Sequence, residues 1–207
     1  HSLDKKNYLT KGDISILKQN KIQYAHINGS LTDGTLKRSI NNILLVNQIQ
    51  EIKVIHTASV IHPKRVHNFN EVNFHGLVDF VNSIDKETLS KFTYISSNSP
   101  FGFSKRGYPF NEHSNYNPFG GYGESKKRAE EFLLNLNYEE KITILRAPWF
   151  HGKDMPERQA KFIIKASKGK FPMIGKGENK RSLVNTSDLA IAALNVTLKK
   201  RKKQIYW

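Results

Sequence analysis

The chain contains no cysteine, which excludes disulfides and thiolate metal sites and suits a reducing, cytoplasmic setting. It has no apolar run near the roughly 18 residues that a membrane span needs. Its first residues carry no signal-peptide pattern. A soluble protein with no membrane partner is expected. Acidic residues are scarce, 18 Asp and Glu against 33 Lys and Arg, for a formal net charge of +15. Such a balance attracts phosphates at long range. The lysines are scattered, however, and no nucleic-acid motif accompanies them, so nucleic acid is not expected as the main partner. The dense run Lys199-Lys200-Arg201-Lys202-Lys203 follows the apolar stretch Leu189 to Leu198, where cations suit the negative end of a helix.

What is present is enough for a core. With 207 residues and 38% hydrophobic content, the chain can form one domain, or one and part of a second. Strand and helix patterns alternate along it. Residues Ile22 to Ile27 alternate like a strand, and Thr32 with Asp33 can cap a helix through Leu36, Ile40 and Ile43. Lys53 to Ala58 reads as a strand, followed by a helix carrying Val72, Leu77, Phe80 and Val81. Phe92 to Ser96 is the next strand, Tyr122 to Leu136 a long helix, and Ile142 to Leu145 another strand. Beyond Pro148 come a helix around Phe162 to Ala166, a Gly/Pro-rich stretch from Gly169 to Gly177, a helix from Ser187 and a strand at Gln204 to Trp207. This order predicts an α/β fold, a parallel sheet covered by helices on both faces. Ligands in such sheets bind at the carboxyl ends of the strands.

At those ends lie residues that could oxidise a hydroxyl. Tyr122 and Lys126 stand four apart on one helix face, after a strand that ends in Ser96-Ser97. Either serine could complete a triad. With 8 Tyr in so lysine-rich a chain, about one Tyr-x-x-x-Lys arises by chance, so the order of its neighbours carries the weight. The histidines His56, His62, His67 and His75 match no metal spacing, and no metal is expected.

The segments His56-Thr57-Ala58-Ser59, Asn73-Phe74-His75-Gly76, Tyr94 to Gly102, Tyr122-Gly123-Glu124-Ser125-Lys126, Leu145-Arg146-Ala147-Pro148, and Gly175 to Arg181 with Asp188-Leu189-Ala190 succeed one another in a fixed order. The series resembles the extended short-chain dehydrogenases/reductases, the NAD-dependent epimerase/dehydratase family. The resemblance implies a Rossmann-like doubly wound sheet over 1–148 and a smaller, partial substrate lobe over 149–207. It implies a catalytic Ser97, with Ser96 the neighbouring alternative, and Tyr122 as base. A free tyrosine ionises near pH 10, so acting near neutrality asks for about 4 kcal/mol of phenolate stabilisation, to which Lys126 would contribute. Asn73 resembles the family's helix asparagine that orders a water and the lysine.

NAD or NADP is the implied cofactor, held by Ser30, Leu31, Thr57, Ala58, Ser59, Tyr122, Lys126 and Pro148. A small-molecule substrate, in the favoured reading a nucleotide sugar, would meet Ser97, Asn98, Trp149 and Arg181, the arginine serving a diphosphate. A homodimer is also implied. Departures are informative. Ser30 stands where the family usually has Asp, which leaves adenine contact to its hydroxyl or to the Leu31 backbone, and Asp33 reads as a helix cap. Trp149 stands where nucleotide-sugar 4-epimerases carry Asn. Asn98-Ser99 offers no acid after the serine, which disfavours dehydration. No Gly-x-x-Gly-x-x-Gly loop lies between His1 and Ile22, so a fragment short of roughly 30 to 40 residues in front, one strand-helix-strand unit, is expected. Two alternatives stand beside the epimerase: a carbonyl reductase or hydroxysteroid-type dehydrogenase, and a non-catalytic dinucleotide-sensing or RNA-associated protein.

Overall fold

The computed structural model describes residues 15, 17–19, 27, 29–61, 65–104, 108–152, 155, 157–170, 175–178, 180–199 and 204–207. The strand expected over Ile22 to Ile27 therefore falls outside the described residues, except for Ile27. So do most of Gly169 to Gly177's middle and the lysine run after Lys199.

Four strands form one parallel sheet: β1 (Ile52–His56), β2 (Leu89–Ser97), β3 (Ile142–Ala147) and β6 (Ile205–Tyr206), in the order β1-β2-β3-β6. A second, two-stranded parallel sheet pairs β4 (Trp149–His151) with β5 (Leu183–Asn185). The helices are α1 (Thr35–Val46), α2 (Gly76–Asn82), α3 (Gly120–Leu134), α4 (Glu157–Ser167) and α5 (Thr186–Leu198). A short α turn, Asn68–Asn70, and a π-helical turn, Glu71–His75, run without a break into α2. This is the expected α/β architecture, and the elements lie within a few residues of their predicted bounds.

Alternation along the strands sorts the core onto two faces. Phe92 and Tyr94 of β2 and Ile142 and Ile144 of β3 pack under Leu77 and Val81 of α2 and Ala129 and Leu133 of α3. Ile95 and Leu145 point the other way, against Ala193 and Val196 of α5. On that side the hydroxyls of Thr93 and Thr197 also meet, 2.6 Å apart. Local chemistry sets the helix starts. The N-cap of α1 is Gly34, with φ of 73°, and not Asp33 as expected; the Asp33 carboxylate, one residue outside, still accepts the Thr35 amide at 2.9 Å. The Asn185 side chain accepts the Ser187 amide at 2.9 Å, so Asn185 caps α5, and Asp188 lies in its first turn.

One buried network fastens these layers. Ser96 and Arg146 are register partners on β2 and β3 and face Glu130 on α3. Arg146 Nε and Nη2 donate to Glu130 Oε2 at 3.0 and 2.9 Å, Ser96 donates to Oε1, and Tyr116 donates to Oε2 at 2.7 Å. Arg146 Nη1 reaches the Glu112 carbonyl at 3.2 Å. Its guanidinium also sits against the rings of Phe101 at 4.4 Å and Trp207 at 5.4 Å. Glu130 is fully buried and Arg146 nearly so. Losing one partner of such a pair strands the other charge. Arg146→Met and Glu130→Gln should each lower stability by about 3 to 5 kcal/mol, and the double variant by clearly less than the sum; urea unfolding of the four proteins checks this.

Candidate functional site

The carboxyl ends of β1, β2 and β3 and the first turn of α3 meet at one edge of the sheet. Ser97 ends β2, and Pro148 follows β3, where the Asn98 amide donates to the Ala147 carbonyl at 3.1 Å. Thr57 to Val60 leave β1. Gly123 lets α3 approach this edge, since a Cβ there would lie 2.7 Å from the Ser99 carbonyl oxygen. Gly102, with φ of 72°, turns the chain out of the Ser99–Phe101 turn. It thereby allows the Asn117 amide to return to the Pro100 carbonyl at 2.9 Å.

The alternation of β2 separates the two serines. The Ser96 hydroxyl is buried and committed to Glu130. Ser97 is half-buried on the opposite side. Its oxygen accepts the Ser99 amide at 3.1 Å and its hydroxyl lies 3.0 Å from Ser99 Oγ. Ser59 and Ser97 both act on the Tyr122 phenol, favouring its ionised form, while the Ser59 hydroxyl itself donates to Asn73 Oδ1 at 3.1 Å. Ser59 was expected to serve the cofactor, and the structure also places it beside this tyrosine.

Lys126 lies one turn below Tyr122 and is almost fully buried. Its Nζ donates to Tyr94 Oη and to the Ile95 carbonyl, both at 3.0 Å, and stands 4.5 Å from the Tyr94 ring centre. Burial lowers its pKa to about 7, against the opposing pull of Glu130 four residues on. Burial also pushes the Tyr122 phenol up, with Ser59 and Ser97 opposing. In this arrangement burial outweighs the pull that Lys126 was expected to exert on the phenol. The reason is physical: desolvation weakens the cation, and the cation's hydrogen bonds go to Tyr94 and Ile95.

Asn73 sits in the π-helical turn and is buried. Its Oδ1 accepts from the Val60 amide at 2.7 Å and from Ser59 at 3.1 Å, and its amide donates to the Val60 carbonyl and to Ser125 Oγ, each at 3.1 Å. Ser125 in turn donates to the Tyr122 carbonyl at 2.8 Å. Asn73 therefore ties the loop after β1 to the turn that carries Tyr122, where its family counterpart was expected to order a water and the lysine. Glu130, Tyr94 and Ser125 were not singled out from sequence. Glu130 could have been, because it continues the Tyr122, Lys126 spacing along one helix face.

Ser30 and Leu31 border two adjoining cavities of about 190 and 70 Å³. Across the smaller one lie Ala58, Ser59 and Val60. Its lining carries hydroxyls and apolar groups and no carboxylate, which suits the adenine end of a dinucleotide, the contact expected of Ser30 and Leu31. Ser30 Oγ is within 3.0 Å of Thr32 Oγ1. Arg181 and Trp149 belong to the second sheet's strands and their approach; the guanidinium lies 3.8 Å from the indole centre. Among the described residues, no three His, Asp or Glu side chains gather as a metal site, and no helix is long and apolar enough to cross a membrane. His62 lies outside the described residues. His67 stands 3.8 Å from Glu71, and His75 lies 3.1 Å from the Asn70 amide.

The parallel sheet carries Tyr122 and Lys126 at its carboxyl edge. The model of the NAD dependent epimerase/dehydratase family matches residues 8–206, and the chain belongs to that family. It is 38% identical to the uncharacterized protein y4nL of Sinorhizobium fredii over 74% of this chain and 45% of that one. It is 27% identical to mouse dTDP-D-glucose 4,6-dehydratase over 99% of this chain and 59% of the relative. The chain thus spans about half the length of these curated relatives. Its fold matches a Bacillus anthracis dTDP-glucose 4,6-dehydratase solved with NAD, with TM-score 0.71 and 20% identity over 95% of this chain and 62% of that chain. It also matches Bordetella bronchiseptica WbmG solved with NAD and UDP, with TM-score 0.68 and 22% identity over 87% and 56%.

His56 supplies a pH prediction for this region. It is buried among Phe80, Phe92 and Tyr94, with neither ring nitrogen hydrogen-bonded. Burial, and secondarily Lys126, lower its pKa to about 3 from 6.5. The unfolded chain takes up the proton first, so the stability that neutral His56 contributes is complete above about pH 6.5 and is lost as pH falls toward 3. His56→Leu should lose less stability than the wild type between pH 7 and roughly 4.5, measured as the shift in urea midpoint.

Proposed function

We propose that this chain is the catalytic part of an NAD-dependent enzyme that oxidises a carbinol carbon of a nucleotide sugar, and that it acts as an epimerase. The observation that carries the reading is the meeting of Ser97 at the end of β2 with the turn of α3 that carries Tyr122, a turn which Asn73 ties to the loop after β1, one helical turn above a buried Lys126. In this reading Ser97 holds the reacting oxygen and Tyr122 removes its proton as general base. Lys126, which donates to Tyr94 Oη, would hold a ribose hydroxyl. Asn73 and Ser125 keep the tyrosine's turn in register. NAD, when bound, accepts a hydride, returns it, and brings a positive ring that favours a neighbouring phenolate. Ser30, Leu31, Ala58, Ser59 and Pro148 would hold it, with Thr57 at the rim.

A glycosyl diphosphate would meet Arg181, while Asn98 and Trp149 would border the sugar. NAD- and UDP-bound neighbours of the same fold support this reading, as does the family's nucleotide-sugar membership. The positions after Ser97 are Asn98 and Ser99, neither able to act as the acid or base that elimination of water requires. This favours epimerisation over dehydration. A cytoplasmic homodimer is proposed as the working form.

Two measurements test the proposal. Tyr122→Phe should lower turnover of UDP- or dTDP-sugars by about a hundredfold to ten-thousandfold while NAD affinity stays near that of the wild type; unchanged turnover would refute Tyr122 as base. An epimerase leaves no net reduced cofactor, whereas stoichiometric NADH formation would make the protein a dehydrogenase. Light scattering on a sizing column should give twice the monomer mass, and a monomer at all concentrations would refute the dimer.

A further inference from the structure

We propose that Trp149 is a positioning residue whose indole face holds the Arg181 guanidinium ready for the diphosphate of the substrate. The inference rests on the nucleotide-sugar reading above and deepens it. It starts from topology: β4 and β5 are parallel, with Trp149 opposite Leu183, so the residues just before β5 pass over the indole. Arg181 lies there, exposed, with its guanidinium 3.8 Å from the ring centre. Phe162 of α4 meets the same indole edge to face, 5.9 Å between centres. The indole is thus gripped by one ring and carries the cation.

A guanidinium lying on a ring face keeps its donors in its own plane, free of the ring. None of its donors is used by the ring, and no carboxylate among the described residues pairs with it. Its long side chain has lost much of its rotamer freedom before any ligand arrives, so less is lost when two phosphates bind. An asparagine at position 149 offers no such face. Where the 4-epimerase pattern has Asn, Trp149 here puts an indole face against the arginine, and the pair should discriminate a nucleoside diphosphate from a monophosphate.

Calorimetric titration of UDP and of UMP into the purified protein, with NAD present, tests this. The wild type should prefer UDP. Trp149→Ala and Arg181→Met should each weaken UDP binding about tenfold and remove most of the preference over UMP, and the double variant should be no worse than either. Trp149→Phe, which keeps a ring face, should stay within about threefold of the wild type. A Trp149→Ala protein with wild-type UDP affinity, additive losses in the double variant, or equal losses for UDP and UMP would overturn the role of Trp149 and leave the nucleotide-sugar reading standing. A wild type that binds neither UDP nor dTDP would overturn both.

Discussion

The buried ion pair between Glu130 and Arg146 is the constraint on which the rest of the site depends. Two charges out of water are costly unless every donor and acceptor is matched. Here the matching draws in Ser96, Tyr116 and the Glu112 carbonyl, so one helix, two strands and the connecting loop close around a single carboxylate. The aromatic rings of Phe101 and Trp207 then box the guanidinium and bring the terminal strand's end into the same cluster. Burial lowers the Lys126 pKa to about 7 against the opposing pull of Glu130, and its ammonium turns to Tyr94 and the Ile95 carbonyl.

Strand alternation supplies the second constraint. Ser96 and Ser97 are adjacent and chemically alike, yet a parallel strand sends them to opposite faces. One face holds the ion pair, and the other opens toward Tyr122. A slip of one residue would exchange a structural hydroxyl for a reactive one. Asn73 guards against displacement in another direction, by fixing the loop after β1 to the first turn of α3. The π-helical turn that presents it widens the helix at the point where the side chain must reach two elements, a use of such turns common near functional sites.

Much of this was legible in the residues. The apolar periods of Phe92 to Ser96 and Ile142 to Leu145 gave buried parallel strands, and the ordered motifs placed Ser97, Tyr122, Lys126 and Asn73 at one edge. What stayed hidden depends on distance in the chain. Glu130 reads as an ordinary helix glutamate until the fold brings Arg146 beside it. His56 reads as a histidine at a polar strand end, although Phe80 and Tyr94 enclose it. The π-helical turn leaves no mark in the 3.6-residue period of Val72 and Leu77. The charge that Lys126 can bring to Tyr122 is read from sequence, whereas the burial of both is a property of packing.

Tyr94 and Lys126 lie on the same side of the sheet as the Glu130–Arg146 pair, and the proposed function asks this arrangement to support hydride chemistry at a carbinol carbon. The most direct measurement is to offer the protein, with NAD, a UDP-sugar carrying deuterium at the carbinol carbon and to follow the label in the product by NMR. Hydride transfer predicts an inverted product that keeps its deuterium on the same carbon. Inversion with the deuterium lost to water would contradict it, since the carbon would then have given up a proton instead.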